Sequence, residues 1–263
     1  MMAVMLRTVT ATRYVTPLRE GGSLPGIVEA DDDNFYVLKF RGAGQGPKVL
    51  VAEVIVGEIA RAAGLAIPEI VLMELNGDLA RTEPDAEIQQ LIRDSAGLNL
   101  AMDYLPGSVT FDPIADTVDA ALASSIVWLD AFASNVDRTA RNANMLMWHR
   151  RLWLIDHGAA LYFHHGWGDE SDRSANPFPA IKDHVLLRFA SALEQADATM
   201  SARLTPELIR DIVARVPDSW LASDKSFASP ALTRAAYVEH LTRRLRSPRA
   251  FLEEALRAHA AVI

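Results

Sequence analysis

The chain has 263 residues, half of them hydrophobic, enough to bury a sizeable core without disulfides or a partner chain. Its 26 Lys and Arg against 34 Asp and Glu give a formal net charge of −8, with no basic block or basic-aromatic stripe. General nucleic-acid binding is therefore not expected, because neutralising phosphates needs clustered positive charge. The absence of cysteine excludes a disulfide scaffold, a thiolate metal site, an iron–sulfur cluster and a cysteine nucleophile, so any reactive site is built from oxygen and nitrogen. Arg7 and Arg13 interrupt the apolar start, and nowhere do about 18 apolar residues run without a charge. A cytoplasmic protein with no membrane partner is the expectation.

No fixed-period repeat or low-complexity segment is present. Alternating β-branched and aromatic residues between Gly, Pro, Asn and Asp punctuation predict three antiparallel strands, RYVTPL, IVEA and FYVLKF, within 13–40. After RGAGQGP, residues 48–63 place Val51, Val54, Ile55, Ile59 and Ala62 at helical spacing with Gly64 as a stop, a buried helix. IPEIVLMEL (67–75) and LNLAMDYLPGS (98–108) read as two further strands. Beyond Pro113 the pattern is helical, at 117–134, 184–197, LTPELIRDIVARV and 231–260, interrupted by a hairpin, NMLMWHRRLWLID, with 149–151 at its turn. The predicted fold class is α+β in two lobes: an N-terminal antiparallel sheet with one helix over 1–105, and a mostly helical lobe over 106–263.

Lys39 is a cation inside an apolar strand. An isolated strand lysine ordinarily sits on an edge and reaches solvent. Here, however, a Gly-rich turn (Gly21, Gly22, Gly26) two strands earlier lets backbone N–H groups approach phosphates, although it lacks the GK[ST] of a Walker A loop. Glu53 and Glu58 on the following helix lie roughly 140° apart, so one at most reaches Lys39 and the other is expected at the surface; periodicity does not settle which. The densest polar cluster is Asn135, Asp137, Arg138, Arg141, Asn142 and Asn144, followed by the hairpin and then Asp156, His157 and Gly158. Asx turns alone would account for the cluster but not for an acid poised at a strand end. An Asp in a loop, an Asn a few residues on and a second Asp after a hairpin suit phosphoryl transfer, in which oxygen ligands hold magnesium and a separate carboxylate orients the attacking hydroxyl. Asp156 with Asn142 or Asn144 is the expected metal set, Asp137 the orienting acid, and Lys39 the partner of the nucleotide phosphates. His164 and His165, being adjacent, are expected to face different ways as loop or surface residues, and His184 is assigned no role.

With these residues assembled, the chain resembles the HipA-like kinase domain family of the protein-kinase-like fold. The resemblance is carried by GGSLPGIVEADDDNFYVLKF, VAEVIVGEIARAAGLAIPEI, SNVDRTARN and LTPELIRDIVARVPDSWL, in that order. It implies a kinase with an ATP site between the lobes, with Gly21, Gly22 and Ser23 at the phosphates and the AMDYLPG linker, around Met102, Asp103 and Tyr104, meeting the adenine. It favours Glu53 over Glu58 as the partner of Lys39, and a protein Ser/Thr over a small molecule as acceptor. Gly26 stands where many relatives carry a basic residue, and His157 replaces the aromatic that follows this Asp in typical protein kinases. Two rivals are a small-molecule kinase of the antibiotic-phosphotransferase type and a non-catalytic nucleotide-binding regulator.

Overall fold

The computed structural model describes residues 5–18, 24–44, 46–167, 173–246 and 248–262. Strands β1 (Thr8–Pro17), β2 (Gly26–Ala30) and β3 (Phe35–Lys39) pair antiparallel in chain order. β4 (Ile70–Leu75) and β5 (Gly97–Asp103) extend the sheet from β3 through β5 to β4, and β4 returns to β1 as a parallel pair, closing a five-stranded barrel. Closure leaves β3 between β2 and β5, so Lys39 is not an edge residue and has no short path to solvent. The inward positions, among them Val9, Tyr14, Val28, Tyr36, Leu38 and Met73, form one core. Helix α2 (Ala86–Asp94), which the strand-only reading of this region lacks, covers that core with Ile88 and Ile92; Asp85 caps it by accepting the Glu87 N–H at 2.9 Å.

Helix α1 (Pro47–Ala62) is buried from Leu50 to Ala60 on every side. It approaches the sheet closely: a Cβ on Gly57 would stand 2.5 Å from Ile70 Cδ1. The chain then runs through β6 (Val109–Thr110) into α3 (Ala120–Ala133), whose N-cap Asp119 accepts from Leu122 N at 2.9 Å. Strands β7 (Met145–Trp148) and β8 (Arg151–Leu154) form the hairpin, and β6 adds a third strand. The turn is two residues, His149 and Arg150, both at positive φ as a tight hairpin of this handedness requires; Arg151 already belongs to β8.

Helices α4 (Leu193–Arg203), α5 (Pro206–Val213), α6 (Asp218–Leu221), α7 (Pro230–Arg244) and α8 (Ala250–Ala260) complete the chain. The helix predicted over 184–197 forms only in its last part: a 3-10 turn at Leu187–Phe189 comes first, and α4 begins at Leu193. The backbone there is spent on tertiary partners, with Val185 N donating to Arg138 O (3.1 Å) and Ala192 N to Ser124 Oγ (2.9 Å). A second, larger core joins α1 and the barrel's outer face to α3 and the later helices, with Trp128 stacked on Phe132 and edge-on to Phe251.

Candidate active site

Lys39, at the end of β3, is 8 % exposed. Its ammonium donates to Glu53 Oε1 on α1 and to Asp156 Oδ1, the latter at 2.7 Å across 117 residues of chain. Burial opposes the charged amine, but Glu53 and then Asp156 outweigh it and hold Lys39 above the usual lysine range. Burial likewise opposes the Glu53 carboxylate; Lys39 and then the neighbouring His157 imidazole hold it below the usual range, and the His157 backbone N–H donates to Glu53 Oε2 at 2.9 Å. Asp156 follows β8 in a left-handed conformation (φ 54°), which turns its partly exposed side chain (39 %) back towards Lys39. His157 is fully buried, its ring nitrogens without hydrogen-bond partners among the described residues and Nδ1 3.6 Å from Glu53 Oε2.

The loop after α3 presents Asp137. Its Oδ2 accepts from Asn142 Nδ2 (2.8 Å) and Asn144 Nδ2 (3.3 Å), while Oδ1 has no partner among the described residues. With both amide nitrogens on a carboxylate, the side-chain oxygens of Asn142 and Asn144 are left free to ligate a cation. Asn144 is joined to the Asp156 segment through the backbone, since Ile155 N donates to Asn144 O at 3.1 Å and Asp156 comes next. Both asparagines thus sit on Asp137; Asn144 is buried and Asn142 exposed. Among the described residues no three His, Asp or Glu side chains converge as a ready-made metal cage. One carboxylate with free amide oxygens instead matches a hard ion that completes its shell with phosphate and water.

Beneath this loop lies a cluster that sequence reasoning left unassembled. Asp130 of α3, fully buried, accepts from Arg138 Nε (2.6 Å), His184 Nε2 (2.9 Å) and Asn135 Nδ2 (2.9 Å). Burial opposes its charge, and Arg138, His184 and Asn135 together hold its pKa below the carboxylate range. Leu186 N donates to His184 Nδ1 (3.0 Å), which assigns the donor role towards Asp130 to Nε2. Asn135 Oδ1 accepts from Asp137 N (3.1 Å), and Arg138 donates to the carbonyls of Asn144 and Ile155. The loop acid, the Asn and the strand end before Asp156 therefore hang on one buried ion pair. The signal was an Asp within the apolar run WLDAF, a residue too costly to bury there without a partner.

Several expectations need correction. Glu58 is not a surface charge: it is 5 % exposed and pairs with Arg61 and Arg215, because α1 is covered on both faces. His164 is fully buried in a 3-10 turn (Tyr162–Gly166), whose tight winding brings its Nε2 to 3.2 Å from His165 Nε2, while Nδ1 meets Tyr237 Oη at 3.0 Å. His184, given no role, belongs to the Asp130 cluster. In the linker, Met102 is buried in β5, Asp103 N donates to Glu69 O (2.9 Å) and Tyr104 N to Phe35 O (3.0 Å). These two N–H groups are spent on backbone carbonyls, while the Leu105 N–H has no partner among the described residues. Gly21, Gly22 and Ser23 lie outside the described residues.

The fold is similar to that of the Helicobacter pylori proinflammatory kinase CtkA, at 10% identity, TM-score 0.55, covering 97% of this chain and 99% of that one. The Golgi casein kinase with Mn/ADP bound aligns at 11% identity, TM-score 0.54, covering 96% of this chain and 74% of that one. No curated protein sequence matches the chain. Among the described residues no helix is long and apolar enough to cross a membrane. The sequence matches the HipA-like kinase family over residues 12–253, nearly its whole length, and with a kinase-like fold around Lys39, Asp137 and Asp156 the chain belongs to that family and is a kinase.

Proposed function

We propose that this kinase transfers the γ-phosphoryl group of ATP, with Mg2+, to a hydroxyl of a protein Ser or Thr. The observation that carries the reading is Lys39 bridging Glu53 and Asp156: a buried ammonium aimed from the barrel at the carboxylate that ends the hairpin. Lys39 pairs the nucleotide phosphates, with Glu53 fixing its position. Asp156, whose Oδ1 is on Lys39, would hold the metal together with an amide oxygen from Asn142 or Asn144. A bound ion would neutralise charge on the phosphates.

Asp137, with Oδ2 held by two amides, turns the unpartnered Oδ1 to the acceptor hydroxyl, orienting its oxygen and taking up its proton as the bond to phosphorus forms and ADP leaves. The resemblance assigns the sequence Gly21, Gly22, Ser23 to the nucleotide phosphates, and the linker at Met102, Asp103 and Tyr104 to the base. The lobes divide at about residue 105, and the protein works in the cytoplasm. The similar Golgi casein kinase structure, with Mn and ADP, supports a nucleotide and a divalent ion.

The test is incubation with γ-labelled ATP and a peptide library, with and without magnesium or EDTA, followed by phosphoamino-acid analysis. Label on Ser or Thr that disappears with EDTA is the expected result. Transfer to an aminoglycoside-type small molecule but to no peptide would replace the acceptor assignment.

A further inference from the structure

Helix α1 carries two buried acids, and the site described above uses only Glu53. Glu58 follows five residues later, roughly 140° around the axis at about 100° per residue, and leaves the helix on a different face. There its Oε2 accepts from Arg215 Nη1, in the short connection between α5 and α6, and its Oε1 from Arg61 Nε at 3.1 Å. The pair is shielded, with side-chain exposures of 6 % for Glu58 and 17 % for Arg215. Arg215 Nε is buried and without a hydrogen-bond partner among the described residues, so Glu58 carries the guanidinium through Nη1.

Other ties run the same way. Arg61 also donates to the carbonyls of Ile67 (3.1 Å) and Pro68 (2.8 Å), and Arg203 of α4 donates to Ala63 O at the helix end. Leu154 N of the hairpin donates to Ala66 O (2.9 Å), and Trp220 Nε1 of α6 to Leu98 O (3.0 Å). α1 packs directly against α5 and α6.

A helix pinned by one side chain can still roll about its axis. One pinned by two acids on different faces cannot roll without breaking a shielded ion pair. We propose that Arg215, acting through Glu58, is a positioning residue that fixes the rotation of α1 and so holds Glu53 on Lys39 whether or not nucleotide is bound. The Lys39–Glu53 pair is then a fixed property of the fold, set from the far side of the helix, and not a contact assembled by an activating event. The consequence for turnover rests on the kinase reading; the coupling between Arg215 and Lys39 does not.

The experiment therefore has two readouts. In the first, the parent and the Arg215→Met, Glu58→Gln and Arg215→Lys variants are treated with an amine-reactive succinimidyl ester, and Lys39 labelling is compared with that of Lys225 by peptide mass spectrometry. Lys39 is 8 % exposed and held by Glu53, so loss of Glu53 from it frees the amine to move and lets the reagent reach it. Arg215→Met and Glu58→Gln should label Lys39 about tenfold faster, the two combined in one chain no faster than either single, and Arg215→Lys near the parent. In the second, kcat and KM for ATP are measured, and Arg215→Met should lose about tenfold or more in kcat/KM, with Arg215→Lys restoring most of it.

Unchanged Lys39 labelling in a folded Arg215→Met variant overturns the proposal, even if that variant melts earlier. Altered labelling with no turnover by the parent would retain the clamp and remove the kinase reading. If Arg215→Met does not fold, Glu58→Gln, which removes the ion pair from the other side at nearly constant size, decides alone: unchanged Lys39 labelling in it overturns the proposal equally.

Discussion

Replacing Asp130 by Asn separates a loop that is merely packed from one hung on a buried charge. The substitution keeps size but leaves one acceptor oxygen where three donors, at 2.6 to 2.9 Å, are now satisfied, and it turns an amide N–H2 towards other donors. Arg138, 1 % exposed, would keep its charge with no carboxylate against it. Removing one partner of such a pair costs about 3–5 kcal/mol, a large part of the roughly 5–15 kcal/mol that stabilises a domain. Asp130 has a depressed pKa, so its contribution is complete above the unfolded carboxylate value and is lost as pH falls below it; urea unfolding at pH 7 reads the full effect.

The companion is Asp130→Leu with Arg138→Met, in which both charges are gone. Loss of the unpaired guanidinium relieves part of the cost, but His184 Nε2 and Asn135 Nδ2 lose their acceptor, so stability should recover only in part, by about 1–2 kcal/mol over Asp130→Asn. Turnover should not return, because nothing then holds the carbonyls of Asn144 and Ile155. A loss below about 1 kcal/mol for Asp130→Asn, or parental turnover in the double variant, would refute the reasoning.

Two further outcomes follow from local geometry. Burial, then His165 and Lys48, push the His164 imidazole down to about 3, so below about pH 6.5 the unfolded chain binds a proton that the native chain refuses. Stability should therefore fall as pH drops from about 6.5, by about 2 kcal/mol at pH 5, and His164→Gln should flatten that slope in urea titrations at pH 7 and pH 5; equal slopes would contradict it. A Cβ at residue 158 would stand 2.5 Å from Val49 Cγ1 and 3.3 Å from Glu53 Oε1, so Gly158→Ala should cost about 1–3 kcal/mol and reduce turnover. Adding Val49→Ala should restore most of both, measured by thermal unfolding and initial rates.

The parts of the molecule that were legible in the sequence are those with a local period. The stripe of Val51, Val54, Ile55 and Ile59 forms α1 because its spacing matches a helix, and FYVLKF forms β3 because it alternates. The run from Asn135 to Asn144, with Asp156 after a hairpin, could be recognised because each residue has few other uses in that order. What was not legible depends on residues distant in sequence. Glu58 looked like a spare charge because Arg215 lies 157 residues away. The 184–197 segment has helical spacing, but its amides are taken by Arg138 and Ser124, and tertiary bonds override the local preference. His164 and His165 would point apart in a strand or α-helix; a 3-10 turn against Tyr237 brings them together. The parallel closure of β4 on β1 likewise has no local signature.

The central claim is that Asp137 acts on the acceptor hydroxyl while Lys39 and Asp156 hold the nucleotide. The most direct test is magnesium-ATP affinity and phosphoryl-transfer rate measured side by side for the parent, Asp137→Asn and Asp156→Asn. Asp137→Asn is nearly isosteric and should lower the rate by about 10²–10⁴ with almost unchanged affinity, whereas Asp156→Asn should weaken the magnesium-nucleotide complex itself. If the parent binds magnesium-ATP but transfers no phosphoryl group, and Asp137→Asn cannot be told from it, the account is contradicted and a nucleotide-binding regulator takes its place.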